Sequence, residues 1–125
     1  MTCCSENTDW QHRTRLLVGN SGIERLRHAS VAIVGLGGVG GFAAEAIARA
    51  GTGRILLIDS DVLETTNLNR QLLALHSTLG NNKTDAARVR IASISGEIIV
   101  ETLSVRVRED NLADLHLDSG WHVID

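Results

Sequence analysis

The sequence predicts an α/β fold in which a parallel β-sheet carries helices on both faces. Two observations support this prediction. Four short apolar runs, rich in β-branched and aliphatic residues, have the length and composition of buried strands. Segments of helical character separate these runs, and glycines mark the change from the first strand to the helix after it. Strands and helices that alternate in this way form parallel sheets through right-handed crossovers.

The elements follow in order along the chain. Strands are predicted at residues 31–34, 55–58, 98–103 and 121–124. Helices are predicted at residues 22–28, 42–50, 67–75 and 83–95, and a further short helix, capped by Asp110 or Asn111, is predicted to end near residue 116. The helical period predicts inward faces formed by Phe42, Ala46, Ile47 and Ala50 in one helix, and by Ala87, Ile91 and Ile94 in another.

The given sequence stops just past the predicted fourth strand, and no helix follows to cover it. We therefore expect a sheet that is truncated after about its fourth strand. Residues 1–12 are polar and are expected to form a flexible N-terminus. Residues 13–125 are expected to be the N-terminal part of a single domain whose C-terminal half is absent.

Length and composition limit the classes of function. The 125 residues fit one domain, and the net charge of −3 offers no global basic field for nucleic acid. No apolar run approaches the roughly 18–20 residues of a membrane span, and the N-terminus lacks the layout of a secretory signal. Cys3 and Cys4 are adjacent and have no further cysteine partners. Reduced thiols and a cytoplasmic location are therefore expected.

A glycine-rich segment follows the first predicted strand. Its glycines fit the pattern G-x-G-x-x-G and are Gly35, Gly37, Gly38 and Gly40, while Asp59 ends the next predicted strand, 19 residues beyond the last of them. Strand, glycines, helix and acid together are the context of the Rossmann-like nucleotide fingerprint. Glycines let the backbone approach phosphate at a helix N-terminus, and Asp59 can accept hydrogen bonds from a ribose. The alternative is a tight turn that binds no ligand.

A cluster of polar residues follows the second predicted strand and includes Asp61, Asn67, Arg70, Gln71 and Lys83. When a carboxylate attacks a triphosphate, negative charge grows on the α-phosphate and on the leaving pyrophosphate, and fixed cations stabilise it. Asn67 can donate from its amide, Arg70 can hold phosphate with its planar fork, and Lys83 is a point charge at a helix start. Each residue alone is more typical of a solvated surface. Their joint spacing favours ATP over NAD.

These segments resemble the ThiF/MoeB/HesA family of adenylating enzymes, which is related to ubiquitin-activating enzymes. The stretches GLGGVGG, LLIDSDVLETTNLNRQ and NNKTDAARVRI carry the resemblance, which runs from residue 13 to residue 125. The stretches TNLNRQ, ALHSTLG and WHVID are most similar to the bacterial branch that dehydrates threonylcarbamoyladenosine in tRNA.

The resemblance implies ATP and Mg²⁺ as cofactors. It implies nucleotide binding by Gly35, Gly37, Gly38, Gly40, Asp59, Asp61, Asn67, Arg70, Gln71 and Lys83. It implies catalytic roles for Arg70, Lys83 and Arg13, the last of which reaches ATP across a dimer interface in some relatives. The family's magnesium-binding aspartate would lie three residues beyond Asp125, and the five histidines lack metal-ligand spacing, so no metal ligand is predicted in this chain.

The expected function is ATP-dependent adenylation of a carboxylate, in the form of a cyclising dehydration of threonylcarbamoyladenosine in tRNA by a homodimer. One alternative is adenylation of the C-terminus of a small sulfur-carrier or ubiquitin-like protein. An NAD-binding oxidoreductase is supported by the glycine pattern alone. A non-catalytic nucleotide-binding subunit is a further alternative. Since the second half of the domain is expected to be absent, we expect this fragment alone to be inactive.

Overall fold

A computed structural model describes residues 9–125, so the expectations for Cys3 and Cys4 and for most of the flexible N-terminus lie outside the described residues. Four parallel strands form one sheet in the order β3-β2-β1-β4. They are β1 (Ser30–Val34), β2 (Arg54–Ile58), β3 (Ile99–Leu103) and β4 (Trp121–Ile124). The predicted parallel sheet is confirmed, and each strand lies within one residue of its predicted bounds.

Within the described residues, one α-helix precedes the first strand, and two further α-helices and two short 3₁₀ helices lie between the strands. They are α1 (His12–Arg27), α2 (Gly40–Arg49), α3 (Lys83–Ile94) and the 3₁₀ helices Thr65–Asn67 and Leu112–Leu115. Helix α1 is longer than predicted and is kinked at Gly19, whose φ of 74° is non-helical. Because Gln11 is buried and α1 begins at His12, regular structure starts before residue 13. In the described part of the chain, no helix has the length and apolar character needed to cross a membrane.

The prediction of a helix at residues 67–75 was wrong. Only one 3₁₀ turn forms there, followed by irregular turns. Side chains compete with the helical backbone ladder in this segment. The Asn67 side chain accepts a hydrogen bond from the backbone N–H of Glu64 (2.8 Å), and the Thr78 hydroxyl donates to the carbonyl of Leu73 (2.7 Å). These local bonds fix turns where composition alone favours a helix.

The sheet is buried on both faces, as expected for parallel strands. Residues of β1 and β2 that face α2 and α3 are Val31, Ile33, Ile55 and Leu57. Those on the opposite face are Ala32, Leu56 and Ile58, which pack against Leu115 of the second 3₁₀ helix and its flanking chain. Two long helices thus cover one face, and a 3₁₀ helix with extended chain covers the other.

The predicted inward face of helix α2 was correct for Ile47, which packs against the core, and wrong for Phe42 and Ala46, which are exposed. Its buried residues are Gly41, Ala44 and Ala48, whereas Phe42 is 54% exposed. The prediction took Phe42 as the inward anchor, but the helix starts two residues earlier, at Gly40, and its phase is set by the preceding turn. Small residues on this face let α2 lie close to the sheet.

Glu45 of α2 and Arg90 of α3 form an ion pair that joins the two helices. The Glu45 side chain is 14% exposed, accepts two hydrogen bonds from Arg90 and accepts a third from Arg49 (2.8 Å). The hydrogen bond from Arg90 is the main cause that lowers the pKa of Glu45 below its ordinary value, although burial opposes the shift.

Glu45→Gln is expected to lower the free energy of unfolding by about 1 kcal/mol at pH 7, the upper range for a partly exposed pair. Because the pKa of Glu45 is depressed in the folded state, this stabilisation is present above the unfolded-state pKa and is lost as pH falls through the folded-state pKa. Urea unfolding of the wild-type and Glu45→Gln proteins at a series of pH values from 7 downwards should show that the difference between their free energies of unfolding becomes smaller in acid. The exposed Glu97→Gln variant is the control, and equal stability of the wild-type and Glu45→Gln proteins at pH 7 would contradict the prediction.

Candidate functional site

The glycine turn joins the carboxyl end of β1 to the start of α2. Gly35 has a φ of 87°, in the left-handed region where glycine is favoured. A Cβ on Gly40 would lie 1.7 Å from the carbonyl oxygen of Gly35, so no side chain fits there. By contrast, a Cβ on Gly38 would meet no atom within 4 Å. The turn therefore closes tightly at Gly40 and leaves its tip open to a ligand.

The turn lies where the strand order reverses. From β1 the chain proceeds to β2 and then β3 on one side, and returns to add β4 on the other side of β1. In open α/β sheets, ligands bind in the crevice outside the carboxyl ends of the strands at this switch point. The glycine turn therefore lies at the position where α/β folds of this kind bind their ligands.

Asp59 ties the turn to the end of β2. One carboxylate oxygen accepts a hydrogen bond from the backbone N–H of Leu36 (2.7 Å), and the other accepts one from the N–H of Asp61 (2.7 Å). Each oxygen keeps further acceptor capacity, since an ionised carboxylate offers about four lone-pair sites. Asp59 can therefore hold the turn in shape and accept hydroxyl groups of a ligand.

Two cavities adjoin at the carboxyl edge of the sheet. The first, here called the turn cavity, has a volume of about 380 Å³ and is lined by residues that include Gly35, Asp59, Asp61, Val105, Arg106 and Val107. The second, here called the lysine cavity, has a volume of about 340 Å³ and is lined by Ser60, Asp61, Val62, Glu64, Asn67 and Lys83. Ser60 and Asp61 line both, so one extended ligand can occupy the two together.

Lys83 is a buried cation in the lysine cavity. Its side chain is only 7% exposed, and Nζ lies 3.7 Å from a carboxylate oxygen of Asp61, which is itself 70% exposed. Burial of a charge is costly unless it is paired closely, so an anion in the cavity would be stabilised here. Asn67 is also buried, and since its oxygen accepts the Glu64 N–H, its amide NH₂ is the group left for a ligand.

Gln71 lies beneath the glycine turn. It is 8% exposed, and its side-chain nitrogen is 3.9 Å from the position that a Cβ on Gly37 would occupy. Its Oε1 is buried and has no hydrogen-bond partner among the described residues. An unpaired acceptor at the base of a turn is the kind of group that a bound ligand or ordered water satisfies.

The other predicted catalytic residues lie outside both cavities. Arg70 is exposed, and its Nη1 donates to the carbonyl of Thr66 (2.9 Å) and to the side-chain oxygen of Asn69 (3.0 Å). Arg13 is exposed in the first turn of α1. To reach a phosphate in the lysine cavity, Arg70 must leave the Thr66 carbonyl. Within residues 9–125, no three His, Cys, Asp or Glu side chains are grouped so that they could hold a metal ion.

Sequence reasoning missed the segment 105–107, which forms a wall of the turn cavity. These residues belong to no recognisable sequence motif. Their position alone could have indicated that they line the site, since they follow β3 and the carboxyl ends of parallel strands meet at one edge of a sheet.

The reversed strand order, the glycine turn and the acid that ties it to β2 define a Rossmann-like α/β domain. The chain belongs to the ThiF family, whose family model matches residues 11–121. The resemblance stated from the sequence is thereby confirmed.

Comparison with known proteins gives the following similarities. The chain is 50% identical over 98 residues to the tRNA threonylcarbamoyladenosine dehydratase of Bacillus subtilis, covering 78% of this chain and 39% of that protein. It is 34% identical over 117 residues to the sulfur carrier protein adenylyltransferase of Thermus thermophilus, and the match covers 92% of this chain and 43% of that protein. The crystal structure of Escherichia coli tRNA N6-threonylcarbamoyladenosine dehydratase in complex with ATP matches with a TM-score of 0.82 and 39% identity, over 86% of this chain and 46% of that one. The chain thus spans less than half the length of each.

Proposed function

We propose that the protein containing this chain is an enzyme that uses ATP to adenylate a carboxylate, and that it cyclises threonylcarbamoyladenosine in tRNA with net loss of water. The observation that carries the proposal is Lys83, a buried cation whose ionic partner among residues 9–125 is the exposed Asp61 at 3.7 Å. It lies in a cavity that shares Ser60 and Asp61 with the turn cavity. The 50% identity to a dehydratase of this kind supports the choice of substrate. The cytoplasmic location stays a prediction from the sequence.

The two cavities suit the two parts of ATP. The ribose would lie against Asp59 in the turn cavity, with the backbone of the glycine turn beside it. The phosphates would extend past Asp61 into the lysine cavity, where Asn67 and Lys83 can donate hydrogen bonds to them. Gln71, beneath the turn, would support the backbone that faces the nucleotide.

The proposed reaction forms a bond between a carboxylate oxygen of the substrate and the α-phosphorus. The bond from that phosphorus to the bridging oxygen breaks, and pyrophosphate leaves with the electron pair. Lys83 stabilises the charge that develops, because a buried cation is weakly screened. Arg70 would add a second cation once it leaves the Thr66 carbonyl.

The acidic residues that line the lysine cavity are Asp61 and Glu64, and their carboxylates would be the groups to hold Mg²⁺. The ion would neutralise phosphate charge there.

A second candidate is adenylation of the C-terminal carboxylate of a sulfur-carrier or ubiquitin-like protein, favoured by the 34% identity to an adenylyltransferase of that class. Pyrophosphate exchange by the full-length protein distinguishes the two. Exchange that depends on tRNA bearing threonylcarbamoyladenosine supports the first, and exchange that depends on the carrier protein supports the second. A non-catalytic subunit would support neither.

ATP–magnesium is expected to bind more tightly than NAD, because Lys83 matches a polyphosphate. Calorimetry on the full-length protein measures both ligands. Lys83→Met, which keeps an unbranched side chain of similar size and removes its charge, should weaken ATP binding roughly tenfold or more. Tight NAD binding without ATP binding would instead support an oxidoreductase.

The full-length protein is expected to be a homodimer that associates through α1. This helix exposes three large apolar side chains, Leu16 (75%), Leu17 (85%) and Val18 (40%), and Arg13 lies on the same helix. Leu17→Glu should weaken the dimer, whereas Glu24→Gln on the same helix should not. Light scattering at micromolar concentration measures the mass, and a monomeric wild-type protein would refute the expectation.

A further inference from the structure

A third cavity lies at the amino edge of the sheet, opposite the edge that carries the glycine turn. This cavity, here called the edge cavity, has a volume of about 360 Å³ and lies where β2 and β3 begin. Its lining residues include Trp10, Gln11, Arg27, Ser95, Glu97 and Ile99, and none of them lines the turn cavity or the lysine cavity. Small-ligand sites have volumes of roughly 300–1,000 Å³, so the edge cavity is large enough for a small group and is separate from the candidate site.

Gln11 has an unsatisfied hydrogen-bond donor at the edge cavity. Gln11 is 2% exposed, and its Oε1 accepts a hydrogen bond from the guanidinium of Arg27 (3.4 Å), which identifies Nε2 as the free group of the amide. Nε2 is buried and has no hydrogen-bond partner among residues 9–125. It lies beside Gly51, where an added Cβ would be 1.9 Å from Nε2. A buried donor without a partner is costly, and an oxygen atom of a ligand would satisfy it.

Two other lining residues add an aromatic surface and an acceptor. Trp10, which precedes Gln11, is 44% exposed. Glu97 is exposed, and its carboxylate makes no ion pair within residues 9–125. Proteins recognise unstacked bases of single-stranded RNA with this combination, in which an aromatic side chain stacks on the base and polar groups bond to its edge. The edge cavity therefore has the chemistry of a base-binding site.

The charge of helix α1 favours RNA over a neutral ligand. Gln11 and Arg27, which flank this helix at its start and its end, both line the edge cavity. The helix carries four arginines and one glutamate, although the chain as a whole has a net charge of −3. Arg27 pairs with Glu24 (3.1 Å), whereas Arg25 is exposed and has no ionic partner in the described part of the chain. Cations of this kind bind the phosphates of a nucleic-acid backbone.

We propose that the edge cavity binds one unstacked base of single-stranded RNA, with Trp10 stacked on the base and Gln11 Nε2 donating to a carbonyl oxygen of the base. Glu97 accepts the N–H group beside that oxygen. Guanine and uracil have a carbonyl oxygen next to an N–H group, whereas adenine has no carbonyl oxygen. The inference rests on the proposed function for the choice of RNA as the partner, and it adds an RNA contact at the sheet edge opposite the ATP cavities.

The test compares oligouridylate with oligoadenylate of equal length, each labelled for fluorescence anisotropy and titrated with the full-length protein. The wild type is expected to bind oligouridylate more tightly. Gln11→Met, which removes the amide donor, should weaken oligouridylate roughly fivefold and leave oligoadenylate unchanged. Trp10→Ala should weaken both roughly tenfold, because every base has a face that stacks. The control is Val89→Ala, which shortens an exposed apolar side chain of α3 outside the edge cavity and should change neither affinity.

Stability separates RNA binding from a structural role of Gln11. Because Nε2 is unsatisfied in the folded protein, Gln11→Met should unfold at the same urea concentration as the wild type or at a higher one. A lower unfolding midpoint with unchanged RNA affinity would show that Gln11 is purely structural and overturn the inference. Equal affinity of the wild type for the two oligonucleotides, or no binding of either, would also overturn it.

Two measurements distinguish this inference from the proposed function. Calorimetry with ATP should give the same affinity for the wild type and Gln11→Met, since the edge cavity shares no lining residue with the ATP cavities. If the wild type bound no ATP while its RNA binding still depended on Gln11, the proposed function would fail and this inference would stand. If Gln11→Met weakened binding of a sulfur-carrier protein and not of RNA, the edge cavity would be a protein-binding site and the inference would be wrong.

Discussion

Gly40→Ala is expected to destabilise the fold by about 3 kcal/mol, at the upper end of what overpacking costs, and to abolish nucleotide binding. The added Cβ would lie 1.7 Å from the carbonyl oxygen of Gly35, and that atom is backbone, so no rotation of a side chain relieves the clash. The turn would have to open, which would also break the hydrogen bond from the N–H of Leu36 to Asp59. Urea unfolding measures the first effect and calorimetry with ATP the second.

Gly38→Ala is the matched control, because a Cβ there meets no atom within 4 Å and Gly38 does not have a positive φ. It should unfold like the wild type. Any loss of ATP affinity in this variant then reports on contact between the turn and the ligand, separate from folding. Wild-type stability of Gly40→Ala would show that the turn adapts, and would refute the steric argument.

Arg70→Ala is expected to lower the rate of ATP–pyrophosphate exchange by roughly 100-fold, or about 2.7 kcal/mol, with a smaller effect on ATP affinity. Arg70 now donates to the carbonyl of Thr66, so it must reorient before it can reach a phosphate. If Arg70 reaches the phosphates only as negative charge develops on them, it stabilises the transition state more than it stabilises bound ATP. The assay uses the full-length protein with its carboxylate substrate.

Two further variants sharpen this prediction. Arg70→Lys should recover only part of the rate, because a lysine lacks the bidentate fork. Arg88→Ala is the control, since Arg88 is exposed on α3 and its side chain contacts Thr102 (3.3 Å). Equal losses of binding and exchange in Arg70→Ala would make Arg70 a ground-state anchor, and a wild-type exchange rate would leave it a surface residue.

The strands and the glycine turn could be predicted because their signals are local. A buried parallel strand is a short aliphatic run, and the turn and Asp59 keep a fixed spacing. Helix bounds were less predictable where side chains bond to nearby backbone, as Asn67 and Thr78 do. The phase of α2 depended on where the turn ends, which composition does not reveal.

The residues of the candidate site that belong to a sequence motif could be predicted, whereas the other residues that line its cavities could not. The spacing of Asn67 and Lys83 carried a signal, and the structure places both in one cavity. Arg106 could not be identified, because its position depends on how the chain leaves β3 and crosses back towards β4. The sequence also could not show that Arg70 would lie outside the cavities, since rotamers of exposed arginines depend on tertiary neighbours.

The reversal of strand order also bears on how the sheet assembles. Strands β1, β2 and β3 are joined by consecutive βαβ units, so each pairing closes a short loop. Strand β4 pairs with β1 only after the whole intervening chain has been traversed. Closing a longer loop costs more entropy, so contacts of this kind form late. The pairing of β4 with β1 is therefore expected to form after the pairings among β1, β2 and β3, and the ligand position at the switch point exists only once the chain has returned.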